Sequence, residues 1–241
     1  MFSIEHLKAT MNPFIISPNL TGLVFVTGKD SFSFLQNIIS NDIALLETED
    51  IIHACLLTPQ GKYLHDFYIR RVDDGYALAC EGGARCDDLV QRLKNYKLRA
   101  DVTIESKFVG TDNWVDEDDD EYKMWDADRI EKSLPDGSRD AEIGVSTLAE
   151  LNLDERTVSY TKGCYIGQEL VARMHNRNLG KKHLVGVEFL NSPPPYGTDI
   201  EGFGLMRSAC GNKGLILMPR DVEEQLKQGK IDHAPFRLLG L

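Results

Sequence analysis

The chain has 241 residues, 42% of them hydrophobic, enough to bury one large core or two to three small ones without disulfides. Its formal charge is -11, from 38 acidic against 27 basic residues, which opposes non-specific attraction to nucleic-acid phosphates. No run reaches the roughly 18 apolar residues of a membrane span and no basic flank precedes a long apolar block, so a soluble, cytoplasmic protein is expected.

In chain order, Met1 to Thr10 reads as a short helix or a dispensable extension ahead of Met11. Leu20 to Val26 reads as a strand, and Thr27-Gly28-Lys29-Asp30 as a turn into a helix whose Phe32, Leu35 and Ile39 share a buried face. Ile51 to Leu57 and Tyr63 to Ile69 are strands joined by the tight turn Thr58-Pro59-Gln60-Gly61-Lys62. Tyr76 to Cys80 is a further strand. Ala84 to Tyr96 is a helix with Leu89, Leu93 and Tyr96 on one face, and Val102 and Ile104 mark another strand. The interval from Gly110 to Gly144 is polar and weakly periodic, a long loop or a connecting layer; its six consecutive acids, Asp116 to Glu121, read as a solvated run. After Lys182 come short strands, His183 to Phe189, Gly204 to Arg207 and Gly214 to Met218, parted by Pro193-Pro194-Pro195 and glycine turns. These elements predict an α+β protein with residues 1–180 as one region, containing two subdomains, and 181–241 as a β-barrel domain.

Phosphate-loop, dinucleotide-turn, zinc-protease and paired Cys-x-x-Cys signatures are absent, and no metal site is expected. The five cysteines are scattered among apolar runs, the usage of a reducing compartment. Cys164 stands apart: it follows Lys162 and Gly163 and precedes Ile166, Leu170 and Met174 at helical spacing. A helix beginning about Tyr165, together with the Lys162 cation, would favour a thiolate there, while a packed structural cysteine is the alternative. Gly163 and Gly167 mark a turn and a close approach. Gln168 and Glu169 can bond exposed amides, and Arg173 lies one helical turn beyond Glu169. Strict alternation puts Leu64, Asp66 and Tyr68 on one strand face, so Asp66 lies in a cavity or faces solvent. Glu150, Asn152 and Asp154 alternate with Leu151 and Leu153, displaying polar groups into a site or along an outer strand. Between Leu170 and Val187 there are no acids, and Arg173, Arg177, Lys181 and Lys182 could face an anionic small molecule.

The octapeptide Lys162-Gly163-Cys164-Tyr165-Ile166-Gly167-Gln168-Glu169, followed by Leu170-Val171-Ala172-Arg173, resembles the signature of the YgfZ group, relatives of the glycine-cleavage T-protein. Val26 to Asp30 with Phe34 to Asn37, Pro59 to Lys62 with Leu64 to Phe67, Asp136 to Asp140 and Gly214 to Met218 extend the resemblance over roughly residues 20–220. It implies a ring of small domains around a central channel for tetrahydrofolate or a one-carbon derivative, closed by the C-terminal β-barrel. By the same resemblance Asp66 meets the reactive end of folate, Glu150 recognises the pterin, and Asn152 and Arg129 line the region. Cys164 and Asp66 are the catalytic candidates. Two features depart from the group: a short stretch between Lys107 and Trp125, which trims the middle portion, and Arg156-Thr157-Val158 where a Gly-Val pair is usual.

The resemblance implies a folate-binding protein that supports assembly or repair of iron–sulfur cluster enzymes, with indirect effects on tRNA modification. A folate-dependent aminomethyl or other one-carbon transferase is the alternative, and a folate-stabilised interaction scaffold the third reading. The implied partners are a reduced folate and, transiently, iron–sulfur assembly proteins or client enzymes. The chain is expected to be a monomer without direct contact to nucleic acid or membrane.

Overall fold

The computed structural model describes residues 21–108, 120–177 and 180–240. The opening segment Met1 to Thr10, Leu20 and positions 112–119 of the acidic stretch lie outside the described residues.

The first half is a five-stranded antiparallel sheet. Its strands are β1 (Gly22–Thr27), β2 (Ile52–Leu57), β3 (Tyr63–Val72), β4 (Gly75–Cys80) and β5 (Thr103–Phe108), in the order β2-β3-β4-β1-β5. Helices α1 (Ser31–Ile38) and α2 (Ala84–Lys97) cover one face. There Leu35, Ile38, Leu89 and Leu93 meet Val24, Ala54, Leu56 and Phe67 in one core. The helical face of α1 differs from expectation: Phe32 is 43% exposed, and Phe34 and Ile38 join Leu35 inside.

The second half is also antiparallel, with β6 (Lys182–Phe189), β7 (Asp199–Ile200), β8 (Gly204–Cys210), β9 (Lys213–Pro219) and β10 (Phe236–Leu238) in the order β10-β6-β9-β8-β7. Among the described residues it is a half-barrel sheet, not closed on itself: the edge strands β10 and β7 have three and two residues and pair only with β6 and β8. No helix among the described residues is long and apolar enough to cross a membrane.

Between the sheets lies a connecting layer: α3 (Asp120–Glu131), the single turns α4 (Gly137–Asp140) and α5 (Asp154–Thr157), and α6 (Gln168–Arg177). A second core joins both halves through it, with Cys55, Leu57 and Tyr63 from the first sheet, Leu148, Leu151, Tyr165 and Val171 from the layer, and Leu184, Leu215 and Leu217 from the second. The octapeptide thus threads the joint of the molecule.

Periodicity missed α3 because its buried residues include charges. Tyr122, Trp125 and Ile130 face inward, but so do Asp126 and Arg129. A single hydrophobic stripe is what the 3.6-residue pattern detects.

Candidate functional site

Two glycines bring the sequence motifs together. Gly61, in the β2–β3 turn, has φ +76, and Gly167 has φ +83. A methyl on Gly167 would stand 2.6 Å from the Thr58 carbonyl oxygen and 2.9 Å from the Gly61 Cα, and one on Gly61 would stand 2.7 Å from the Gly167 carbonyl oxygen. The hairpin turn therefore packs directly on the octapeptide, backbone to backbone, which residues with a Cβ would prevent.

The same hairpin builds an acidic cluster. Leu56 pairs with His65 but Leu57 with Tyr63, so β3 carries one extra residue and its alternation breaks. Leu64 consequently enters the helix-covered core with Phe67 and Ile69, and Tyr63 takes the place on Asp66's side that strict alternation gave to Leu64. Tyr63 Oη donates to Asp66 Oδ1, while His53 Nε2 lies 2.9 Å from Oδ2. His53 in turn stacks on Tyr68, ring centroids 4.2 Å apart. Burial pushes the Asp66 carboxyl up, but the His53 hydrogen bond and charge and the Tyr63 hydroxyl outweigh it, holding Asp66 below its usual value. The side chain retains 19% exposure, so this is an anion with aromatic walls and an open side.

His65 points to the opposite side and serves α2. Its Nε2 lies 2.8 Å from Asp88 Oδ2, and Arg85 donates to the adjacent Leu64 carbonyl. Burial and then the Arg85 charge lower the imidazole from 6.5 to about 4. An unfolded chain takes up that proton near pH 6.5 and the folded chain only near 4. The stability this supplies is whole above 6.5 and lost as pH falls through the window, by roughly 3 kcal/mol. His65→Asn should flatten the fall: urea midpoints at pH 7, 5.5 and 4.5 that drop equally in both chains would remove His65 as its cause.

The octapeptide side chains are placed differently from expectation. Lys162 is 7% exposed and its Nζ donates to the carbonyls of Ile39, at 2.8 Å, and Asn41, at 2.7 Å. It neutralises the C-terminal end of α1 and lies over the Tyr165 ring, 5.2 Å from the centroid, instead of supporting the thiol. Burial lowers its pKa to about 8, against the pull of Asp42. Cys164 is exposed, four residues before α6, which begins at Gln168 rather than Tyr165. The Lys162 cation is thus committed elsewhere, and the helix opens four residues beyond the thiol. Gly163 has open space where a Cβ would stand, so no close approach requires a glycine there. Glu169 and Arg173 are both exposed, and among the described residues the two are not paired with each other. Behind the motif, Cys55 is fully buried, with its sulfur 3.4 Å from Thr157 Oγ1 and its amide bonded to Ser40 Oγ. Burial and then Asp66 drive that thiol well above its normal value.

Glu150 and Asn152 lie in turns, not in an alternating strand. Glu150 Oε2 accepts from the Thr147 amide at 2.8 Å while Thr147 Oγ1 accepts from the Glu150 amide at 3.3 Å, a reciprocal capping box. Glu150 also faces Lys182 at 3.6 Å and lines a groove of about 760 Å³ with Thr147, Met174, Lys181, Lys182 and Arg220. Asp66 does not line that groove. Asn152, at φ +55, donates to the Ser133 and Leu184 carbonyls, both at 2.8 Å, and ties the layer to β6.

Arg129 is 3% exposed and makes four hydrogen bonds inside the protein: to Asp126 at 2.6 Å, Asp140 at 2.7 Å, the Leu134 carbonyl at 3.0 Å and Ser208 at 2.7 Å. It locks the connecting layer to β8. Among the described residues no group of three or more His, Cys, Asp or Glu side chains is placed to hold a metal ion.

The chain is 26% identical over 72% of its length to the mitochondrial iron–sulfur cluster assembly factor IBA57 homolog of Mycosarcoma maydis, covering 57% of that protein. It is 25% identical over 74% of its length to the tRNA-modifying protein YgfZ of Hamiltonella defensa, covering 71%. Its fold matches the glycine cleavage aminomethyltransferase T of Bartonella henselae with a TM-score of 0.62 at 14% identity, over 83% of this chain and 76% of that one. Its homologues are thus IBA57 iron–sulfur cluster assembly factors and YgfZ, and its fold is that of the glycine cleavage T-protein. No family model matches it. The chain spans little more than half the length of the Mycosarcoma maydis and Coccidioides immitis IBA57 homologs it matches. Sequence reasoning missed His53 and Tyr63, which flank Asp66 in space. In the sequence Gly61 reads only as part of a tight turn and Gly167 only as a close approach, with nothing that pairs the two.

Proposed function

We propose that this chain binds a reduced folate at Asp66 and supports the maturation of iron–sulfur enzymes, presenting Cys164 at its surface to partner proteins. The observation that carries the proposal is the partly open, anionic Asp66 between His53, Tyr63 and Tyr68. A reduced pterin offers a flat ring and N–H donors. Aromatic walls stack on the first, and a carboxylate with free lone pairs accepts from the second. The residues present therefore fit such a ligand, which would supply a one-carbon carrier when bound. His53 and Tyr63 keep Asp66 ionised and fix its plane. The names of the relatives, an iron–sulfur cluster assembly factor and a tRNA-modifying protein, support the maturation role and an indirect effect on tRNA.

The one-carbon transferase reading draws on the T-protein fold and on the same carboxylate. Calorimetry with tetrahydrofolate separates the possibilities. Asp66→Asn should weaken binding roughly 10- to 100-fold, the worth of a hydrogen bond to a charged group, with an unchanged circular dichroism spectrum. Equal affinity of the two chains would remove Asp66 from the site. Product formed from a methylene folate and an amine acceptor would favour the transferase. Failure of Cys164→Ser to restore iron–sulfur enzyme activity in a deletion strain, at matched abundance and with folate binding intact, would support the thiol's role toward partners.

A further inference from the structure

Cys80 closes β4 and Cys86 stands in the first turn of α2, joined by the short link Glu81 to Arg85. Neither belongs to the Asp66 cluster or to the octapeptide. Both are buried, at 1% and 6% exposure. Gly22, the register partner of Cys80 on β1, leaves the room they occupy: a methyl there would lie 2.9 Å from each of the two sulfurs. The thiols thus converge on one backbone position.

The pair is asymmetric. Cys86 is the third residue of a 14-residue helix, where free amides and the helix dipole favour a thiolate. The neighbouring Cys80 thiol lowers the Cys86 thiol against the effect of burial, while Cys86 and then burial raise Cys80. One sulfur is prepared to attack and the other to hold its proton.

We propose that Cys80 and Cys86 form a redox-active dithiol that closes reversibly to an intrachain disulfide when oxidised by a peroxide. The Cys86 thiolate attacks one peroxide oxygen, the O–O bond breaks, and the departing hydroxide takes a proton to become water, leaving Cys86 as a sulfenic acid. The Cys80 sulfur then attacks the Cys86 sulfur, the S–O bond breaks, and the hydroxide leaves with the Cys80 proton as a second water. Two thiols lose two electrons and the peroxide gains them. The new bond would fasten β4 to the first turn of α2, the turn whose Arg85 donates to the Leu64 carbonyl and whose Asp88 holds His65. Both contacts lie on the strand that carries Asp66, so closure bears on the acidic cluster from behind.

The sequence makes the test direct. Trypsin cuts after Arg71, Arg85 and Arg92, so the disulfide would join the peptides Val72–Arg85 and Cys86–Arg92. The full native chain is treated with one equivalent of hydrogen peroxide, blocked with iodoacetamide and digested. Most of these two peptides should appear as one linked species, two hydrogens lighter than their sum and released by dithiothreitol. A chain carrying both Cys164→Ser and Cys210→Ser should give the same result. In Cys80→Ser, dimedone should trap a sulfenic acid on Cys86, and in Cys86→Ser Cys80 should stay unmodified. Unlinked peptides in native protein whose Cys164 has been oxidised, or linkage only after unfolding in urea, would overturn the dithiol. Dimedone on Cys80 and none on Cys86 would overturn the assigned order of attack.

Discussion

Arg129→Met should lower the stability of the fold by about 3–5 kcal/mol, because it leaves two buried carboxylates without their cation. Asp126 is 2% exposed and Asp140 is fully buried, and both are within 2.7 Å of the guanidinium. Arg139 still reaches Asp126 at 2.7 Å, so the unpaired charge falls mainly on Asp140. Urea unfolding followed by tryptophan emission reports the site itself, since Arg129 lies 5.4 Å from the Trp125 ring centroid. Arg129→Lys should fall between, keeping the charge while losing the planar fork that serves four acceptors. Lys132→Ala breaks a 2.6 Å pair with Asp128 that stands in solvent, and should cost no more than about 1 kcal/mol. An Arg129→Met midpoint no lower than that of Lys132→Ala would show that the network does not hold the connecting layer. A folate defect in an Arg129 variant would then have to be read as direct contact; with the network intact it follows from a displaced layer.

The two glycines of the octapeptide should respond oppositely to alanine. Gly167→Ala adds a Cβ 2.6 Å from the Thr58 carbonyl oxygen and 2.9 Å from the Gly61 Cα, at a left-handed φ. Neither neighbour is a side chain that can swing aside, so the expected cost is about 2–5 kcal/mol. Gly163→Ala meets nothing within 4 Å and lies outside the left-handed glycines, so its change should stay within about 0.5 kcal/mol. Thermal unfolding of the two variants beside the parent decides the matter. Equal melting temperatures for all three chains would mean that the hairpin turn and the octapeptide are not pressed together in solution. Should Gly167→Ala fail to accumulate, Gly61→Ala tests the other side of the same contact.

Local chemistry alone determined the strand and helix order of the first sheet, the hairpin turn at Thr58 to Lys62 and the octapeptide that resembles the signature of the YgfZ group. Alternation, helical spacing and turn residues act within a few positions of the chain, so each of these was legible without a partner. The α3 helix was not, because the side it buries carries Asp126 and Arg129, whose partners Asp140 and Ser208 come from other elements. Nor did spacing place Tyr63 beside Asp66; one extra residue in β3, accommodated against β2, moved it there. Lys162 is the sharpest case. Two positions from Cys164 in sequence, it reads as a charge for the thiol, yet its ammonium is satisfied by carbonyls at Ile39 and Asn41, more than a hundred residues away. A buried cation goes where unsatisfied acceptors are, and the end of a helix supplies them only after the chain has folded around it.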